Sequence, residues 1–208
     1  MNLTPKSVKK TNMDKPVPQA NESETDSPYC LRSEKLGVSD ENFEDIFDLN
    51  EFWRPKHYVE NDLTDNDDKT VTDKATGLMW KKTGSPDKMT FGETEKYIHK
   101  LNNMRFAGHA DWRIPTIDEL ISLIEPETQA NGLHVNPIFD SKEKFWSCDS
   151  WQQGGGWSVS FGSNLVYCRN SFKKGHIRAV RSLSENNISE PMKKRQSYRI
   201  YTEITMPL

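Results

Sequence analysis

The sequence predicts an α+β domain, an antiparallel sheet carrying two helices, behind a disordered N-terminal lead. Three observations lead there. Short runs of strand-forming residues, divided by Asp- and Gly-rich turns, occupy residues 58–82 and again 145–181. Between them stand two capping-box signatures, each followed by apolar residues at helical spacing. Strands, then helices, then strands imply segregated elements rather than alternating βαβ units.

Of the 208 residues, 34% are hydrophobic and 28% charged, an apolar share low enough that part of the chain is expected not to pack. Met1–Pro28 is that part: rich in Lys, Pro, Asn, Ser and Glu and without apolar period, it cannot offset its ordering entropy. Lys6, Lys9 and Lys10 imitate the basic start of a secretion signal, but no apolar run follows them. Nor does any run approach the length of a membrane span. The expectation is a soluble, cytoplasmic chain. Cys30, Cys148 and Cys168 are few and odd in number, which argues against a disulfide-stapled scaffold. A Cys148–Cys168 bridge between neighbouring strands competes with two buried thiols acting as small hydrophobes, and the absent secretion signal favours the thiols.

Residues 29–57 read as a helical N-terminal segment. Ser39 caps a short helix that sets Phe43, Ile46 and Phe47 on one docking face, and Pro55 breaks the link onward. Then Asp65–Asp68 is a turn, Thr70–Thr72 a strand, Ala75–Gly77 a turn and Leu78–Trp80 a strand. Asp65, Asp67 and Asp73 are hard oxygen ligands, yet the loop lacks the glycine and bidentate glutamate of a calcium-binding EF-hand, so a solvated turn is expected.

Thr90-Phe91-Gly92-Glu93 opens the first helix, with Tyr97, Ile98 and Leu101 inward. Thr116-Ile117-Asp118-Glu119 opens the second, with Leu120, Ile121, Leu123 and Ile124 inward and Pro126 ending it. Strands follow at Phe145–Cys148, Trp157–Phe161, Leu165–Cys168 and Ile177–Arg181, with Gly154–Gly156 and Gly162–Asn164 as turns. Trp157, Val159 and Phe161 alternate with serines, as in a strand with one buried face. The tail, residues 184–208, is polar up to Tyr198–Ile204, which alternates as an edge strand would.

The net charge of −3 hides a segregation: acids crowd Asp40–Asp68, whereas Ser150–Ser184 has none and carries Arg169, Lys173, Lys174, Arg178 and Arg181 with His176. Such a stretch either attracts a polyanion or pairs with the acidic half on folding. The candidate ligand-binding residues are Trp151, Gln152, Asn164, Tyr167, Arg169, Lys173, Lys174 and His176, joined by Gln153. An aromatic with amides and cations suits sugar stacking, sulfate pairing or a protein epitope. His99, His109, His134 and His176 share no metal spacing, no Cys-x-x-Cys occurs, and Gly154–Gly156 precedes a strand rather than a phosphate-binding helix. No catalytic set, metal or cofactor is expected.

Thr70–Trp80, Gly108–Leu120, Phe145–Ser147 and Ile177–Arg181 together resemble the signatures of the Lcl C-terminal domain family, formerly a domain of unknown function. The resemblance implies one domain over residues 58–183 with a C-type-lectin-like fold, similar also to formylglycine-generating enzymes. It implies a bacterial surface or appended module, found beside collagen-like adhesins or protein kinases, with some members implicated in binding sulfated glycans. Cys148 occupies the slot where the family usually carries a small hydroxyl residue, so no catalytic cysteine role is carried over. Glu125-Pro126-Glu127 superficially resembles the sugar-binding Glu-Pro-Asn of calcium-dependent lectins, but it ends a helix and no Trp-Asn-Asp follows.

The signature residues themselves read as structural: Trp80, Trp112, Trp146 and Trp157 as core, and Arg113 with Asp111 as a carboxylate pair holding an irregular loop. The expected function is a non-catalytic ligand-binding module for a sulfated glycan or another polyanion. A protein-interaction or regulatory scaffold is the alternative, and nucleic acid is not an expected partner.

Overall fold

A computed structural model describes residues 29–183; the expectations for the lead and for the tail strand Tyr198–Ile204 lie outside those residues. The chain is α+β, with two four-stranded sheets rather than one. Strand β1 (Gly37–Val38) and helix α1 (Phe43–Ile46) come first, then β2 (Leu63–Asp65), β3 (Thr70–Asp73), β4 (Leu78–Lys81) and β5 (Met89–Thr90). Helices α2 (Thr94–Asn103) and α3 (Ile117–Ser122) follow. The chain closes with β6 (Lys144–Trp151), β7 (Gly155–Ser160), β8 (Leu165–Asn170), β9 (Lys174–Gly175) and β10 (Val180–Ser182). One sheet has the order β1-β6-β7-β8, the other β10-β4-β3-β2, and β5 pairs with β9. All strand pairs are antiparallel except β1 with β6, where Gly37 and Val38 lie parallel to Ser150 and Trp151.

Alternation along β6–β8 sorts the side chains onto two faces. Trp157, Val159, Phe161 and Val166 join Val71, Trp80, α3 and the N-terminal Val38, Phe43 and Phe47 in the larger core. Trp146 points the other way, into a smaller core with Ile98, Leu101, Trp112 and Ile177. All four tryptophans named as core are buried. Both capping boxes form: Thr90 N–H donates to Glu93 Oε2 at 2.8 Å, and Thr116 N–H to Glu119 Oε2 at 2.9 Å.

Several boundaries differ from the sequence reading. Ser39 does not cap α1; Asn42 does, with Ser39 Oγ 3.1 Å from its Oδ1. The helix is a single turn, too short to bury a full stripe, so Ile46 stays 39% exposed while Phe43 and Phe47 pack on Trp157. Residues 29–57 thus contribute a strand beside the one-turn helix, and Phe43 and Phe47 of the expected docking face enter the larger core. Helix α3 ends at Ser122, four residues before Pro126, and Ile124, buried in the larger core, bridges Val135 instead. Only Val180–Ser182 of the last signature is a strand, since Ile177 and Ala179 are bound through the loop at Ser85 and through Lys81.

Two of the three glycines taken as a turn open β7. Gly155 adopts φ +132°, and a Cβ on Gly156 would lie 2.3 Å from the Phe91 ring. Cys148 and Cys168 are free and sit on β6 and β8, which β7 separates. Two strand spacings are about 9–10 Å, beyond disulfide reach.

Trp80 and Trp112 anchor one core each, so truncating either empties a large buried volume. Trp80→Ala and Trp112→Ala are expected to lose about 3–5 kcal/mol in denaturant titration. Parent-like midpoints would place those indoles at the surface.

Candidate functional site

The densest polar constellation is a junction at the start of α3. Asp149, fully buried on β6, accepts from Arg32 Nη1 and Leu36 N–H through one oxygen, each at 2.8 Å. Its other oxygen accepts from Arg32 Nη2 at 3.0 Å and Ile117 N–H at 2.8 Å. Arg32 Nε also donates to Asp118 Oδ2 at 2.7 Å. Burial alone would lower the Arg32 guanidinium, but Asp149 and Asp118 reverse this and hold it above its ordinary value. Burial lifts the Asp118 carboxyl, with Arg32 opposing. Next to this, Arg113 forks onto buried Glu119, at 2.7 and 2.5 Å. The arginine's partner is therefore Glu119 and not Asp111, which binds Arg181 instead at 2.8 Å. Arg32, which lies outside every signature, carried no sequence signal because its two partners are 86 and 117 residues away.

Beside the junction lies an open cleft of about 360 Å³ between Ser33–Lys35 and α2, lined by Ile98, His99, Arg113 and Cys148. Burial pushes the Cys148 thiol up to about 12, with Asp149 and Glu119 adding to the rise.

The proposed binding residues do not form one surface. Trp151 Nε1 donates to Asp40 Oδ1 at 2.7 Å, and Gln153 Nε2 to Asp40 Oδ2 at 2.9 Å, so the N-terminal segment occupies both. Gln152 is exposed, and its backbone N–H bonds Val38. Asn164 is buried at φ +53° with its amide on Tyr58, a turn residue rather than a contact residue. His176 is buried: Nδ1 lies 2.9 Å from the Ser85 carbonyl oxygen, and burial lowers its pKa. Tyr167 and Arg169 point to the Trp146 face of β8, opposite to Trp151 and Cys168. Lys173 and Lys174 are exposed around Phe172.

The acid-free basic stretch is likewise divided. Arg178 is fully buried, 2.8 Å from Asp140 and stacked 4.5 and 4.8 Å from the Phe139 and Phe145 rings. Burial draws it down to about 10, with Asp140 acting upward, so it is charged at neutral pH. Asp111 and Asp140, which take Arg181 and Arg178, come from mid-chain rather than from the acidic segment Asp40–Asp68. In that segment Asp40 reaches Trp151 and Gln153, whereas Asp65 accepts from Asp67 N–H and pairs with Lys82, and Asp68 Oδ1 takes Thr70 N–H at 3.0 Å.

An α+β domain held by buried ion pairs, with the turn between β8 and β9 exposed to solvent, is the class these features define. Residues 69–181 match the Lcl C-terminal domain, more than half of the chain, and the protein belongs to that family. No curated protein and no solved structure matches it. No helix among the described residues is long and apolar enough to cross a membrane.

Removing Arg32 would strand Asp149 without its counter-charge. Arg32→Ala is expected to destabilise by about 3–5 kcal/mol, read by chemical denaturation; a loss below about 1 kcal/mol, the value of a surface pair, would show the junction to be dispensable.

Lys81 supplies a pH test. Burial lowers its pKa from 10.5 to about 8, with Asp140 opposing and Arg178 adding to the effect. The unfolded chain therefore binds more protons between those values, and stability from this group rises with pH through that window. The melting temperature of the parent should gain on that of Lys81→Met from pH 8 upward; parallel profiles would contradict it.

Proposed function

We propose that the chain is a non-catalytic binding module whose β8–β9 turn, with Phe172, Lys173 and Lys174, engages an anionic ligand such as a sulfated glycan. The observation that carries this reading is the exposed turn between β8 and β9, which holds no acid of its own, Glu93 being the nearby carboxylate that feels Lys174. Phe172 is 69% exposed, Lys173 lies 5.4 Å from its ring, and neither lysine has an ion-pair partner among the described residues. An exposed apolar ring beside the Lys173 ammonium offers stacking and charge together. The finer fold assignment, C-type-lectin-like, belongs to the same proposal and rests on the family signatures. The raised Cys148 thiol and the structural engagement of His176 support a role without catalysis.

A protein-interaction reading has one observation of its own. Phe52 and Trp53, 65% and 45% exposed, project from the turn that follows α1, near exposed Ile46 in sequence. An aromatic pair of this kind suits a protein partner.

Lys173→Glu with Lys174→Glu should abolish retention on a sulfated polysaccharide column at low salt and leave the melting transition within about 1 kcal/mol. Because screening acts over about 8 Å at physiological ionic strength, the parent should elute with moderate salt. Retention of both proteins alike would transfer the function to the Phe52–Trp53 face.

A further inference from the structure

Among the described residues, four arginines with partly or fully buried side chains, Arg32, Arg113, Arg178 and Arg181, each meet a carboxylate at 2.5 to 2.8 Å. Arg54 and Arg105 are exposed. Arg169 alone is partly buried without a carboxylate. Its guanidinium lies 5.0 Å from the Trp146 ring and 5.9 Å from the Tyr167 ring, and Nη2 donates to the Lys174 carbonyl at 3.0 Å. Nη1 is buried and has no partner. A guanidinium withdrawn from water without a counter-charge is a net cost to the fold unless something else balances it.

Two more orphaned groups share its face. Trp146, Ser158 and Tyr167 are paired in line across β6, β7 and β8, and Arg169 follows Tyr167 by two residues, opposite Gly156. Ser158 is fully buried and its Oγ has no partner; the Tyr167 hydroxyl is buried and has none either. Two glycines let the side chains of this region pack close to the backbone. A Cβ on Gly175 would stand 3.1 Å from Arg169 Nη1 and 3.2 Å from the Trp146 ring, and Gly156 makes room for Phe91. Burial raises the Tyr167 phenol, with Arg169 opposing and Glu143 adding a smaller upward push, so the hydroxyl keeps its proton to donate.

We propose that Arg169 Nη1, the Tyr167 hydroxyl and Ser158 Oγ form a recessed seat for a single oxyanion, of the sulfate, phosphate or carboxylate kind. All three groups can donate, and a guanidinium among them selects a negatively charged acceptor over a neutral one. Each orphan is costly as it stands, and one bound oxyanion would satisfy all three while neutralising the arginine. The seat is roofed by the Lys174 carbonyl contact, so entry displaces the exposed turn Ser171–Lys173, whose lysines draw the anion toward it. The inference rests on the anionic-ligand reading above for the larger molecule that would carry the oxyanion, and it adds the point at which one charged group of that molecule is held.

The test is equilibrium dialysis of the full chain against radiolabelled inorganic sulfate at fixed ionic strength, set by chloride. The parent should take up one sulfate per chain, saturably. Arg169→Gln and Tyr167→Phe should each weaken uptake at least about tenfold, equivalent to about 1.4 kcal/mol. Tyr167→Phe removes only the hydroxyl, so a parent-like melting curve for it separates lost binding from lost fold. Displacement of the label by phosphate or by acetate supports the seat, and their relative strength assigns it to tetrahedral or planar oxyanions. Absence of saturable uptake by the parent, or equal uptake by both variants, overturns it. The Lys173→Glu, Lys174→Glu protein should still bind sulfate while losing the polysaccharide. Uptake of sulfate by a parent that ignores the polysaccharide would remove the polyanion reading and leave the seat standing.

Discussion

A carboxylate taken wholly out of water must have its negative charge and its lone pairs satisfied, and Asp149 meets that demand with four donors from two other parts of the chain. Arg32 and Leu36 come from the N-terminal segment and Ile117 from the first turn of α3, while Asp149 itself sits on β6. Everything around it is aligned by that requirement. The N-terminal segment is drawn into register beside β6, with Ser150 N–H on the Leu36 carbonyl at 2.9 Å, and Val38 falls into the larger core. The start of α3 is fixed on the opposite side by Thr116, whose hydroxyl donates to the Arg32 carbonyl at 2.8 Å. The family match begins at residue 69, so the fold completes its central ion pair with a residue from outside it.

The same rule of charge balance explains how the basic stretch is used. Arg178 and Arg181 look equivalent to Lys173 and Lys174 as sequence, but guanidinium groups with planar forks and weak hydration tolerate burial against carboxylates and aromatic rings. The arginines are accordingly drawn inward to Asp140 and Asp111, and the more strongly hydrated ammonium groups at the β8–β9 turn stay in water. Arg169 is the intermediate case, stacked on Trp146 yet lacking a carboxylate.

Helix starts were legible where the residue, its partner and the bond between them lie within four positions, as at Thr90 with Glu93 and Thr116 with Glu119. The alternation of Trp157, Val159 and Phe161 likewise marked a strand, but the expectation of one buried face fails: Ser158 and Ser160 on the other face are buried as well, because the smaller core covers it. The candidate site was half legible. Sequence distance grouped Trp151 with Tyr167 and Arg169, but a strand sends successive side chains to opposite faces, and the hairpin β7–β8 put them on different sides of one sheet. Asn164 and His176 have the composition of ligand contacts, yet one serves a left-handed turn and the other is closed over by Ser85.

Sequence by itself determined the α+β class, the identity of the core tryptophans and membership of the Lcl C-terminal domain family. All of these rest on short-range pattern: period, capping and ordered signature blocks. Tertiary structure alone decided that Gly37–Val38 pairs with β6, that Arg113 binds Glu119, and that Cys148 and Cys168 lie two strands apart. It also decided which cations remain free. These outcomes depend on pairings between groups far apart in the chain, and an ion pair or a strand register is chosen by burial and geometry that no local window contains.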